Sequence, residues 1–140
     1  MKKANVFLLG VAIFLTSTSH ARQSGSAQIY MSQYTQLRER ATALIAKSPD
    51  GPTDRARLQD QQLALLKLTH RLQEEATRDY YEQSRRPGGE DKSLLFIGNA
   101  CSALGYTLES FDNFLTNGDR SFLLLARRGI ELMDTVQRFF

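Results

Sequence analysis

The chain has no tryptophan, a single cysteine, two histidines and three prolines among 140 residues, and each shortage closes off a class of protein. One cysteine, Cys101, excludes an intramolecular disulfide, so stability has to come from packing. Small exported domains often rely on disulfide staples, and a chain without them needs a sizeable apolar core. Cys101 itself reads as a small buried residue of an apolar helix, with a disulfide to a partner or to a second copy (a homodimer) as the alternative. Two histidines, His20 and His70, cannot build the paired-imidazole spacing of a catalytic or structural metal site. There is no Cys-x-x-Cys-His for covalent haem, and a haem held by His70 with Met31 or Met133 has nothing else to support it. His70 and Glu74 stand one helical turn apart, a spacing an oriented general base would need, but charged helices produce it constantly and no nucleophile lies nearby. Phosphate-cradling glycine loops are missing too: Gly88-Gly89 follows no strand and reads as a linker. The expectation is a protein without cofactor, metal or catalytic residues.

Charge of one sign is also lacking. Eighteen basic residues face fifteen acidic ones, and the signs are interleaved rather than clustered. A nucleic-acid binder concentrates Lys and Arg on one face, so no nucleic-acid partner is expected.

Long hydrophobic runs are limited to Val6–Leu15 (VFLLGVAIFL). Ten residues span about 15 Å as a helix, roughly half the hydrocarbon thickness of a bilayer. Lys2 and Lys3 precede the run and Ser19-His20-Ala21 follows it, the pattern of a cleaved export signal over residues 1–21. No cysteine stands at the cut, which leaves lipid anchoring without an acceptor, and no stable membrane anchor is expected. Gly25-Ser26-Ala27 offers a second small-residue cleavage site. Removal of Lys2 and Lys3 leaves 16 basic against 15 acidic residues, a mature charge of about +1. The reading is a soluble exported chain in a bacterial periplasm.

The remainder, 28–140, is read as one all-α domain, a four-helix bundle of two helical hairpins, 28–86 and 91–140. Tyr30, Tyr34, Leu37, Ala41, Leu44 and Ile45 recur at steps of three and four, one face of an amphipathic helix. Ser48-Pro49-Asp50-Gly51-Pro52 ends it. A second helix is expected from Thr53 as N-cap to about Arg85. Leu58, Leu65, Leu72 and Ala76 form its buried stripe, widened by Leu63, Leu66 and Leu68. Opposite charges four apart (Arg71/Glu75, Glu74/Arg78, Arg78/Glu82, Glu82/Arg86) mark its solvent face. After the Arg86-Pro87-Gly88-Gly89 link, a third helix should span Lys92–Thr116 with Asn117-Gly118 as its C-terminal stop. Asp119 should cap a fourth, whose stripe reads Phe122, Ala126, Gly129, Met133, Val136 and Phe140. The closing Phe139-Phe140 does not indicate an outer-membrane barrel, since no alternating strands precede it.

Two features stand out as binding candidates. Tyr80 and Tyr81 are adjacent and point about 100° apart, so one of them should be exposed beside Arg78, Arg85 and Arg86. Tyrosine with arginine is the composition of binding hot spots, which makes Arg78, Tyr81, Arg85 and Arg86 the first-choice partner surface. The second choice lies in the charge-free stretch Leu94–Leu108, where Gly98, Cys101, Ser102 and Gly105 share a helical face. Interior glycines cost about 1 kcal/mol each relative to alanine. The plainer account of that face is a notch admitting the Ala126–Gly129 part of the fourth helix. With catalysis and nucleic acid set aside, the sequence points to a protein that binds another protein. The expectation is an immunity or inhibitor protein against an envelope-acting toxin, with an accessory factor or chaperone of an envelope secretion or pilus assembly as the alternative.

Fractionation of cells expressing a tagged full chain should find a shortened, soluble protein released with the periplasm. Full-length, uncleaved chain in the inner membrane overturns that expectation.

Overall fold

The computed structural model describes residues 25–138, so the proposed signal segment 1–21 and Phe140 lie outside the described residues. Four helices account for nearly all of the described chain: α1 (Gly25–Ile45), α2 (Pro52–Ser84), α3 (Lys92–Asn117) and α4 (Arg120–Gln137). There is no strand among the described residues, and the helices pack on one another as a bundle. No described helix is long and apolar enough to cross a membrane. The second candidate cleavage site, Gly25-Ser26-Ala27, is the first turn of α1, with Ala27 buried.

The helix ends follow local chemistry. Asp91 and Asp119 adopt extended backbone and accept the Ser93 and Ser121 N–H groups at 2.9 and 2.8 Å, capping α3 and α4. Gly118 ends α3 at a φ of 72°, the left-handed conformation that a side chain disfavours. At the start of α2 the expectation needs correction: Gly51, not Thr53, is the N-cap, and it contributes no side-chain bond. Pro52 explains the shift, because its fixed φ and missing N–H suit the first helical position. Asp54 serves the turn instead, accepting the Asp50 N–H at 3.2 Å and pairing with Arg57. The bond from the Asp50 backbone is the main reason that the Asp54 carboxyl sits below its ordinary pKa.

α3 is the hub. It packs against all three other helices, most extensively against α2 across the glycine link, whereas α2 and α4 do not touch. Leu94, Ile97, Leu104, Leu108, Phe111 and Leu115 of α3 are fully buried, and all but Leu94 share one core cluster with the α1 stripe of Tyr34, Leu37, Ala41, Leu44 and Ile45. Polar pins fix the register. Tyr30 Oη donates to Asp79 at 2.8 Å between α1 and α2, and Gln62 donates to the Leu108 carbonyl at 3.1 Å between α2 and α3. Arg38 reaches from α1 to Asp134 (3.0 Å) and Gln137 of α4. No buried side-chain N or O atom lacks a partner among the described residues.

Several expected core positions are not core. Leu58, Leu65, Leu72 and Ala76 are buried as read from the sequence, but Leu63 and Leu68 are exposed. α2 has α1 and α3 on one side and water on the other, so its apolar stripe is wider than the surface available to cover it. On α4 the buried stripe is Ala126, Ile130 and Met133, while Val136 is exposed. Of the four charge pairs expected on α2, Arg71–Glu75 forms at 3.0 Å, while Arg78 turns to the adjacent Asp79 at 3.6 Å.

The glycine notch faces a different neighbour from the one expected. A Cβ on Gly98 would meet Thr77 Oγ1 at 2.9 Å, and one on Gly105 would meet His70 Nε2 at 3.3 Å, both on α2. The close approach of α4 is made by its own Gly129, whose missing Cβ would overlap the Thr107 side chain. Thr107 cannot easily yield, because it is buried and its hydroxyl donates to the Ala103 carbonyl at 2.9 Å.

Gly129→Ala should therefore destabilise the fold by about 1–3 kcal/mol through overpacking, against the ~1 kcal/mol gain in helix propensity. Thr107→Ala should recover most of that loss in the double variant. Urea unfolding of the four proteins of the cycle measures the coupling, and additive effects would show that the two side chains do not meet.

Candidate functional site

The tail of α2 presents the first-choice surface. Tyr81 is 61% exposed, and Tyr80 is half-buried with its ring edge-on to Tyr81 at a 5.5 Å centroid separation. The 100° step between consecutive helical residues forces this split, and the T-shaped contact holds the exposed ring in place. Arg78, Arg85 and Arg86 are all exposed. Arg78 shares Asp79 with Tyr30, and no carboxylate stands within ion-pairing distance of Arg85 or Arg86 among the described residues. The four residues divide between two shallow depressions. Arg78 and Tyr81 border one with His70, Glu74 and Thr77, while Arg85 and Arg86 border the next with Pro87 and Gly88.

The second-choice face is not open. Gly98, Cys101 and Gly105 are buried, the two glycines beneath Thr77 and His70 of α2, and only Ser102 is exposed. The spacing that placed them on one face is correct, but α2 occupies that face. Burial pushes the Cys101 thiol up to about 12 and leaves it free of any disulfide.

A third surface had no counterpart in the sequence reading. Beside their Gly129–Thr107 contact, α3 and α4 flank an apolar groove of about 590 Å³, floored by Tyr34, Thr107 and Met133. Its walls are Phe96, Asn99, Ala100, Ala103 and Tyr106 on α3, and Leu125, Leu132 and Val136 on α4. Tyr106 is 76% exposed and Leu132 61%. Two of the polar groups there are already spent: Thr107 and Ser110 donate their hydroxyls to the Ala103 and Tyr106 carbonyls at 2.9 and 3.0 Å. Among the described residues Arg128 is the only charged one lining the groove, and no ion-pair partner for it is found among them. Two sequence signals do mark this surface: the absence of charge from Ser93 to Leu108, and the Leu123-Leu124-Leu125 run, which is too long for one buried stripe.

Among the described residues no three metal-ligating side chains cluster. Where pKa values shift, structural causes explain them. Burial, reinforced by Asp79, pushes Tyr30 up to about 12, and burial does the same to Tyr34. The Ser121 N–H holds the Asp119 carboxyl below its ordinary value. Comparison with protein-family models, with curated proteins and with solved structures finds no match.

Cys101 should resist alkylation. In native protein at pH 8, iodoacetamide should label it on the timescale of unfolding, not of the chemistry, and denaturant should make labelling immediate. Rapid labelling of the folded chain would show the α3 face to be open.

Proposed function

We propose that this is an exported, non-enzymatic protein that acts by binding another protein, and within that class an immunity or inhibitor protein that blocks an envelope-acting toxin in the periplasm. The observation that carries the reading is the tail of α2, where an exposed tyrosine, held by its neighbour, stands between Arg78, paired with Asp79, and Arg85 and Arg86, for which no carboxylate partner is found among the described residues. Rigid aromatic area beside unspent guanidinium donors is what interface hot spots are made of. The patch is compact, which suits a one-partner complex better than the broad apolar surface that a chaperone needs.

The test is capture of the tagged protein from the envelope followed by measurement of affinity for what co-purifies. One stoichiometric toxin-like partner is expected. Tyr81→Ala combined with Arg85→Ala should weaken that complex by about tenfold or more. Unchanged affinity would remove this surface from the reading. Recovery of many unfolded envelope proteins would favour the accessory-factor or chaperone alternative, and recovery of the protein alone would indicate a structural oligomer.

A further inference from the structure

The groove between α3 and α4 lies apart from the α2 tail and has a chemistry of its own. Apart from Asn99 its walls are aliphatic and aromatic, and small residues, Ala100 and Ala103, keep it open on the α3 side. The Thr107 and Ser110 hydroxyls give their protons to α3 carbonyls, so they offer no donor to a ligand. A sugar or any other ligand rich in polar groups would leave most of them unsatisfied here. Arg128 and, on the Phe96 side, the exposed Asn99 are the exceptions, and only Arg128 is charged. It shares a level of the groove with Tyr106, because the adjacent residues Gly129 and Thr107 are in contact. From that level the antiparallel helices carry the groove a short way to Ser110 and Leu125 and a longer way past Ala103 and Asn99 to Phe96. Ten residues separate Tyr106 from Phe96, about 15 Å at helical rise. An extended chain of about twelve carbons has that length, given single bonds of ~1.5 Å in a zigzag.

We propose that this groove binds one single-chain carboxylate amphiphile, a free fatty acid of about twelve carbons. Its carboxylate sits on Arg128, with the Tyr106 hydroxyl beside it, and its chain lies along Ala103, Leu132 and Val136 toward Phe96. The guanidinium supplies the paired donors that a carboxylate takes up. The groove volume falls within the range of small-molecule sites, which in bundles lie between helices. The site is independent of the α2 tail, and its success or failure leaves the protein-binding reading untouched.

Protein purified after expression of the full chain is titrated calorimetrically with dodecanoate below its micelle concentration, with dodecanol and dodecyltrimethylammonium as probes of equal chain length. Saturable one-to-one binding of dodecanoate is expected, with dodecanol weaker and the cation weakest. Arg128→Gln should weaken dodecanoate about tenfold and leave dodecanol nearly unchanged. Ala103 is exposed, so Ala103→Trp should fill the channel and abolish both without altering the helical circular dichroism. Leu132→Gln provides a second channel variant should the tryptophan disturb folding. The Tyr81→Ala, Arg85→Ala protein should bind dodecanoate normally. The proposal is overturned by no saturable binding, by equal affinity for the cation, or by binding that survives both channel variants. It is equally overturned if light scattering shows a dimer that Ala103→Trp dissociates, because the groove would then be filled by a second copy.

Discussion

The packing of α3 against three neighbours at once is the constraint on which the rest of this bundle depends. Eleven of its residues are buried, against three on α4. A helix enclosed to that degree cannot carry charge on its covered faces, since burying an unpaired ion costs several kcal/mol, and Leu94–Leu108 has none. Enclosure also demands close approach. α2 comes near because Gly98 and Gly105 leave space for Thr77 and His70, and α4 comes near because its Gly129 leaves space for Thr107. Each glycine sacrifices helix propensity, and the return is contact between large apolar surfaces that side chains would otherwise hold apart.

Such a hub has a geometric consequence. Once α2 and α4 each lean on α3, they end on opposite flanks and do not meet. α1 fills one side of the arrangement and reaches α4 through Arg38, Asp134 and Gln137. Nothing fills the other side of the α3–α4 pair among the described residues, so Leu125, Leu132 and Val136 stay uncovered next to Ala103 and Tyr106. The groove is thus the complement of the enclosure of α3.

This geometry also explains which parts of the sequence were legible. Periodicity and turn chemistry place the four helices within a few residues, because Pro49, Pro52, Gly118 and the capping Asp119 act locally. The α1 stripe and the Leu58, Leu65, Leu72 and Ala76 stripe were readable for the same reason. Periodicity shows that a face is apolar but not which neighbour covers it, or whether one does. Leu63, Leu68 and Val136 were therefore read as core and are exposed, and the Gly98–Gly105 notch was paired with α4 when α2 fills it. Tyr81 was a different matter: two adjacent tyrosines on a helix cannot both face one core stripe, so on a helix covered along one side the 100° step leaves one of them exposed. The groove was out of reach because it belongs to neither helix singly. It exists only where the outer stripes of α3 and α4 are brought side by side by a contact between Gly129 and Thr107.

The two exposed surfaces differ in a way that bears on what they can recognise. Along the tail of α2 the side chains are long, charged and held from outside, by a ring contact and by Asp79. They project from the bundle, and a partner must come to them with its own surface. In the groove most side chains are small, aliphatic or aromatic, and the polar groups of Thr107 and Ser110 are tied to their own helix. Recognition there depends on shape and on the single charge of Arg128. A projecting polar patch can be altered residue by residue with little effect on the core, because all four of its members are exposed. The groove cannot: its floor residues, Tyr34, Thr107 and Met133, belong to the packing that encloses α3. A change that reshapes the floor therefore disturbs the fold, and only the walls, Ala103, Leu132 and Arg128, are free to tune what the groove accepts.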